Sequence, residues 1–175
     1  MHITAPTPAD ADELLAFELL NRRYFESWIN HRPPDYYSLE GVARAIMVAQ
    51  QEAEADVGYQ HLVRVDGKLV ARVNLTGIKR PHALSASLGY RVGESSTGRG
   101  IAKQAVGLVL QRAFSELDLW RVEATARPEN AASAKVLVSN GFVQFGHSRR
   151  CFQLADRWYD LLHFEAHAQY RTSAQ

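Results

Sequence analysis

The chain has a single cysteine, Cys151, in 175 residues. That excludes an internal disulfide and a zinc site built on several thiolates. Neither sign of charge is in excess: 20 Lys+Arg stand against 19 Asp+Glu, a formal net charge of +1. Nothing in that balance draws the molecule toward nucleic acid or an anionic membrane. Long apolar runs are also missing, and none approaches the roughly 20 residues that span a bilayer. The opening MHITAPTPADADELL has no basic stretch followed by an apolar one, which argues against a signal peptide. These absences leave the cytoplasm as the expected compartment.

What is present reads as one domain over residues 1–175. Apolar residues make up 46% and charged residues 22%, enough of each for a real core and a wetted surface. No repeat, linker or low-complexity segment interrupts it. Asp10 or Asp12 is placed to cap a first helix to about Leu20, with Leu14, Leu15, Leu19 and Leu20 on its apolar side. After the aromatic stretch NRRYFESWINHRPPDYY, Ser38 is placed to cap a second helix from about Leu39 to Ala55. The period then drops to two. HLVRVDGKLVARVNL holds two strands around Asp66 and Gly67, with Leu69, Ala71, Val73 and Leu75 on one face and Lys68, Val70, Arg72 and Asn74 on the other. ALSASLGYRVG is a third strand. Ala102, Val106, Val109, Leu110, Ala113 and Leu117 mark a helical stripe, WRVEATA a strand, and PENAASAKVLVSNGF a short helix stopped at Asn140 and Gly141. Two final strands, FVQFGHSRRCFQL and RWYDLLHFEA, meet near Ala155 and Asp156. The order predicts a mixed α/β sheet, not a doubly wound one.

Chemistry concentrates in STGRGIAKQA, where a strand gives way to a helix. A P-loop needs Lys and then Ser or Thr after its second glycine; Arg99 and Gly100 stand there after Gly98. A dinucleotide fingerprint needs a third glycine where Lys103 stands, and belongs early in a βαβ unit. A loop that merely reverses the chain is the plain reading. Yet the free N–H groups from Gly98 to Lys103 lie at a helix N-terminus, where the dipole favours an anion. Gly98 and Gly100 remove side chains that would block close approach, and Arg99 and Lys103 add positive charge. A pyrophosphate fits this without a metal.

VGESSTGRGIA resembles the acetyl-CoA signature of the GNAT N-acetyltransferases, Gln/Arg-x-x-Gly-x-Gly/Ala, with Thr97 first, Gly100 fourth and Ala102 sixth. Thr97 departs from the usual Gln or Arg. The resemblance implies a cofactor site over Thr97, Gly98, Arg99, Gly100, Ile101, Ala102 and Lys103. It also implies a splayed strand that pairs with the pantetheine arm through Tyr90, Arg91 and Val92, ending at Gly93. RPENAASAKVLVSNGF is similar to the family's later helix, so Asn130 would hold the pantetheine arm and Ser133 would lie near the CoA sulfur. Many relatives carry a tyrosine acid seven residues after the asparagine; here it is Leu137. NRRYFESW, LGYRVG and the C-terminal strands resemble the Rim-type branch, the ribosomal-protein alanine N-acetyltransferases. The implied fold is a single GNAT-like domain with a mixed, splayed sheet of about six to seven strands flanked by helices. The implied activity is transfer of acetyl from acetyl-CoA to a primary amine by direct attack, with a protein or peptide N-terminal α-amine as the acceptor. A strand N–H near Arg91 or Val92 would polarise the carbonyl and Ser133 would protonate the thiolate. No metal, nucleic acid or membrane is implied, and the state is monomer or homodimer. A non-catalytic acyl-CoA binder and an enzyme for small-molecule amines stay open.

Other residues have plain roles beside chemical ones. Asn130 is also a helix cap and Ser133 a first-turn serine. His61 has a pKa suited to a general base, though a lone histidine is more often structural. Glu123 is placed to orient a water or to pair with Arg121. His163 and His167 lack the intervening glutamate of a zinc helix, and Cys151 lacks an activating histidine. Tyr24, Phe25, Trp28, Tyr36 and Tyr37 line either a groove or, as aromatics between helices more often do, the core.

Overall fold

The structure, a computed structural model, describes residues 1–168. The elements run β1 (His2–Thr4), α1 (Ala11–Glu26), α2 (Leu39–Glu54), β2 (Gly58–Val65), β3 (Lys68–Lys79), β4 (Ser85–Val92), α3 (Ile101–Ser115), β5 (Arg121–Ala126), α4 (Ala131–Val138), β6 (Val143–Leu154) and β7 (Arg157–His167). Short 3-10 turns precede α1, α2 and α3. Seven strands form one mixed sheet in the order β1-β2-β3-β4-β5-β7-β6. Only β4 and β5 pair in parallel. No helix among the described residues is long and apolar enough to cross a membrane.

The α1 helix runs six residues past the expected end at Leu20, and its buried face differs. Leu19 and Leu20 are 48% and 81% exposed, while Leu14, Phe17, Glu18, Asn21 and Phe25 are buried. Leu15 also packs against the apolar cluster around Leu14. The buried five follow the helical spacing but two are polar, so a stripe drawn from leucines alone is right at Leu14 and Leu15 and wrong at Leu19 and Leu20. Asp10 sits at the cap position without capping; its carboxylate accepts from Thr7 and Arg64 instead. Ser38 does cap α2, accepting from the Gly41 amide at 3.0 Å. The β2–β3 hairpin turns at Asp66 and Gly67, but its register shifts between Val63 and Arg64. The extra residue turns Leu69 away from Ala71, Val73 and Leu75 and into the cluster of α1 and α2.

Two apolar clusters sandwich the sheet. One joins Val63, Val73, Leu75, Leu88 and Phe164 to Val106, Val109 and Leu110 of α3 and Leu137 of α4. The other joins Leu62 to Leu14, Phe17 and Phe25 of α1 and Val42 and Ile46 of α2. Helices therefore cover both faces of the β2–β4 half.

The sheet is not closed in its middle. β4 and β5 pair from Ser85 with Arg121 to Ser87 with Glu123, and the pairing stops there. Both strands continue, β4 to Val92 and β5 to Ala126. β4 stays paired with β3 as far as Val92, so a gap opens on its β5 side.

Candidate active site

A cleft of about 750 Å³ occupies this gap, within the size range of small-molecule and cofactor sites. Sheet register decides which face each of its residues serves, because directly opposed residues share a face. Arg72 is opposite Arg91 and Asn74 opposite Gly89, while Val73 is opposite Tyr90. Arg72 reaches Glu18 of α1, and Tyr90 reaches Ser133 of α4. The cleft thus joins an α3/α4 face to an α1/α2 face.

On the α3/α4 side the wall includes Thr97, Gly98, Gly100, Ile101, Ala102 and Lys103. Gly98 and Gly100 have φ of 71° and 75°, the left-handed region where a side chain is strained. Gly100 is the N-cap of α3, and no acidic residue stands in the first turn. The first-turn amides of a helix have no intrahelical acceptor and carry the positive end of its dipole. They are suited to an anion, with Lys103 adding charge. Arg99 is exposed and Gly93 buried, and neither walls the cleft. A Cβ on Gly93 would come within 3.1 Å of Phe17, so that glycine serves close packing against α1.

Asn130 caps α4: its Oδ1 accepts from the Ser133 amide at 3.0 Å, and both residues wall the cleft. The Ser133 hydroxyl lies 2.9 Å from the Tyr90 hydroxyl, which also reaches the Ser133 carbonyl at 3.3 Å. Burial pushes the Tyr90 phenol up, and the bond to Ser133 only partly offsets it. The phenol is therefore protonated at neutral pH and can donate. Leu137, where relatives place a tyrosine, is fully buried in the core.

The α1/α2 side is aromatic and cationic. Tyr24 and Phe25 from the end of α1, with Trp28 and Ile29 just beyond it, face Arg72, Asn74 and Arg91 across the cleft, with Thr125, Arg127, Phe152 and Leu161 completing the wall. Beneath lies Glu18, 1% exposed. It binds Arg72, and lies 3.3 Å from Arg91 and 3.9 Å from Arg32. Burial pushes the Glu18 carboxyl up, but Arg72, Arg91 and Arg32 together hold it below the ordinary glutamate range. Arg72 also binds Gln60 at 2.6 Å and the Tyr36 hydroxyl at 3.1 Å. Tyr36 and Tyr37 do not wall the cleft, so the aromatic set divides between core and groove.

Two expected catalytic residues stand elsewhere. His61 is 0% exposed under α3. Its Nδ1 lies 3.0 Å from the Val73 carbonyl and its Nε2 2.9 Å from Arg112. Burial, with help from Arg112, lowers its pKa to about 4. Both ring nitrogens are occupied and the ring is not on the cleft wall. Glu123 is engaged by Arg121 at 2.7 Å and is not on the cleft wall. His163 contacts Ser148, and Cys151 is exposed on β6. Asn74, Arg127, Phe152 and Leu161 were not expected. The signal for Asn74, as for Arg72, was a polar residue inside a strand otherwise built for burial.

Known proteins share this sequence pattern and fold. The acetyltransferase (GNAT) domain family matches residues 1–143. The probable N-acetyltransferase YjcK of Bacillus subtilis is 35% identical over 153 residues, 86% of this chain and 84% of its own length. RimJ of Mycobacterium smegmatis, solved in complex with CoA-disulfide, is 27% identical with a TM-score of 0.89, over 95% of this chain and 81% of its own. The ribosomal-protein-S5-alanine acetyltransferase of Vibrio fischeri has the same fold, with a TM-score of 0.91 at 23% identity over 95% of this chain and 92% of its own. The chain belongs to the GNAT acetyltransferase family. It is an acetyl-CoA-dependent N-acetyltransferase.

Proposed function

We propose that the protein acetylates the N-terminal α-amine of a protein or peptide, with donor and acceptor entering the β4/β5 gap from opposite faces of the sheet. The observation that carries this reading is the gap itself. It has an anion-binding helix end and the Ser133–Tyr90 pair on one face, and an open aromatic and cationic groove on the other. Gly98, Gly100 and the first-turn amides of α3 hold the CoA pyrophosphate, with Lys103 beside them. The β4 backbone from Tyr90 to Val92, freed from β5, pairs with the pantetheine amides, as an added strand would. A backbone N–H at Arg91 or Val92 polarises the acetyl carbonyl.

Acetyl-CoA supplies its acetyl group as a thioester. The neutral amine forms the C–N bond as the C–S bond breaks, the amine's surplus proton leaves to water, and the thiolate takes a proton from the Ser133 hydroxyl. Tyr90 replaces that proton and recovers its own from solvent, so the two hydroxyls form one relay. Tyr90 fills on β4 the position in the chemistry that Leu137 leaves empty on α4.

The α-amine is favoured because no strong base among the described residues reaches the site. An α-amine has a pKa of about 7.7–8.0 and a lysine about 10.4. At pH 7 roughly a tenth of α-amines are neutral, against about one lysine in a few thousand. His61 is sealed away and Glu123 is ion-paired. The Rim-type relatives, whose names include a ribosomal-protein alanine acetyltransferase, support the same acceptor. The test pairs a peptide bearing a free small N-terminal residue with the same peptide blocked at the N-terminus and carrying one lysine. The free terminus is acetylated faster at pH 7; faster acetylation of the blocked peptide overturns the acceptor and leaves the acetyltransferase intact.

A further inference from the structure

The acceptor face carries more positive charge than it balances. Arg72 and Arg91 wall the cleft, Arg32 stands behind them, and all three share the single carboxylate of Glu18. Arg91 is also crowded by its neighbours: burial first, then Arg32 and Arg72 against the pull of Glu18, lower its pKa to about 10. A fourth cation, Arg127, stacks on Tyr159 at 3.7 Å with Trp28 at 5.3 Å, and its Nε lies 3.4 Å from the exposed Glu129. No Asp or Glu is among the described residues that wall the cleft.

Three polar atoms of this wall are buried without a hydrogen-bond partner among the described residues. Two are donors, Nε of Arg72 and Nη1 of Arg127; one is an acceptor, Oδ1 of Asn74. Arg72 itself is 4% exposed. Buried polar groups are nearly always satisfied, so unpartnered atoms in a binding cleft are complemented by what binds there. Donors on two arginines call for an anion. The acceptor on Asn74 suits an N–H of the incoming amine, leaving the nitrogen lone pair free to attack. Asn74 and Arg72 share one face of β3, about 7 Å apart. Gly89, opposite Asn74, adds no side chain over it, and a Cβ there would meet nothing within 4 Å.

We propose that the acceptor is an acidic amine, carrying a carboxylate a few bonds from the nitrogen that is acetylated, with Arg91, Arg127 and the Nε of Arg72 receiving the carboxylate and Asn74 the amine. This rests on the acetyltransferase reading and deepens it. The carboxylate comes either from an Asp or Glu side chain next to a peptide N-terminus or from the α-carboxylate of a free amino acid. A polyamine brings only positive charge to a positive wall and is rejected.

The test compares kcat/KM, by thiol release from acetyl-CoA, for three amidated peptides with a free N-terminal Ala. They carry Glu, Gln or Lys at the second and third positions; free glutamate and spermidine form two further arms. The Glu peptide or free glutamate exceeds the Gln peptide by about tenfold, the Lys peptide and spermidine rank last, and added salt narrows the spread. The better of the two acidic acceptors identifies the source of the carboxylate. Arg127→Gln brings the Glu/Gln ratio close to one, while Arg127→Lys restores part of it. Acidic and neutral acceptors within twofold of each other, or a preference for lysine or spermidine, overturn the proposal. Calorimetry of the CoA-loaded protein with the same five compounds gives the ranking without turnover. A failure of the peptide acceptor reading is therefore separable from a failure of the charge preference.

Discussion

The two faces of the cleft are built on different principles. The α3/α4 face uses backbone: two left-handed glycines, a helix N-terminus and a capped second helix, held on an apolar core. The α1/α2 face uses side chains: aromatics from α1 and arginines from three separate segments, laid over a buried Glu18. In the proposed reading, backbone recognises what every member of the family shares, the donor's pyrophosphate and amides. Side chains are free to change, and they decide which amine is accepted.

Substitutions that attack one face and spare the other separate the two. Gly100→Val is expected to do most. A Cβ there meets nothing within 4 Å, so the fold survives, at about 1–2 kcal/mol of backbone strain. It does enter the space a pyrophosphate needs. Losing two charge-assisted hydrogen bonds at about 2 kcal/mol each weakens CoA binding by roughly 10³-fold in calorimetry, with the circular dichroism spectrum unchanged. Wild-type affinity would remove this loop from the donor site.

Glu18→Gln attacks the other face through stability. It leaves Arg72, Arg91 and Arg32 without their shared carboxylate, and breaking a buried pair in this way costs about 3 kcal/mol, read by urea denaturation. The same residue sets an acid limit. Its folded pKa lies below its unfolded one, so its contribution is complete above about pH 4.3 and is lost as the pH falls through the folded value. The wild type therefore loses stability on acidification over that window more steeply than Glu18→Gln, which keeps only the loss due to other paired carboxylates such as Asp10 and Asp56; parallel pH curves would contradict the ion-pair account.

Ser133→Ala should lower kcat by about 10²-fold with little change in CoA affinity, and Tyr90→Phe by about 10-fold. A Tyr90→Phe variant with wild-type kcat would break the relay. His61→Gln should have the smallest effect on rate, within about threefold, while lowering stability by roughly 1–3 kcal/mol because a buried, fully bonded ring is replaced. A large loss of kcat with unchanged stability would return His61 to the chemistry.

The α3/α4 face, proposed for the donor, was legible in the sequence because its elements are contiguous. STGRGIA spells loop and helix end together, and Asn130 and Ser133 lie three apart on one helical turn. Most strands and helices were readable for the same reason, since period and capping are local signals. The β1 strand, of three residues, was too short to show a period. The α1/α2 face was legible only in part, through Tyr24, Phe25, Trp28 and Arg91. Trp28, Asn74, Arg127 and Leu161 meet only because β4 and β5 part and β7 inserts beside β5. Glu18 stands among leucines, and only its partners on β3 and β4 explain its burial. His61 misled for a related reason: its position on a strand is plain from the sequence, but not that α3 covers that side.

Entry from opposite faces is tested most directly by following backbone amide shifts in two steps. Addition of CoA should move the amides of Gly98–Lys103, Tyr90–Val92 and Ser133 and leave those of Trp28, Asn74 and Leu161 in place. Addition of an acceptor peptide to the CoA-loaded protein should then move the second group and not the first. CoA shifts centred on Trp28, Asn74 and Leu161, or peptide shifts centred on the first turn of α3, would contradict it.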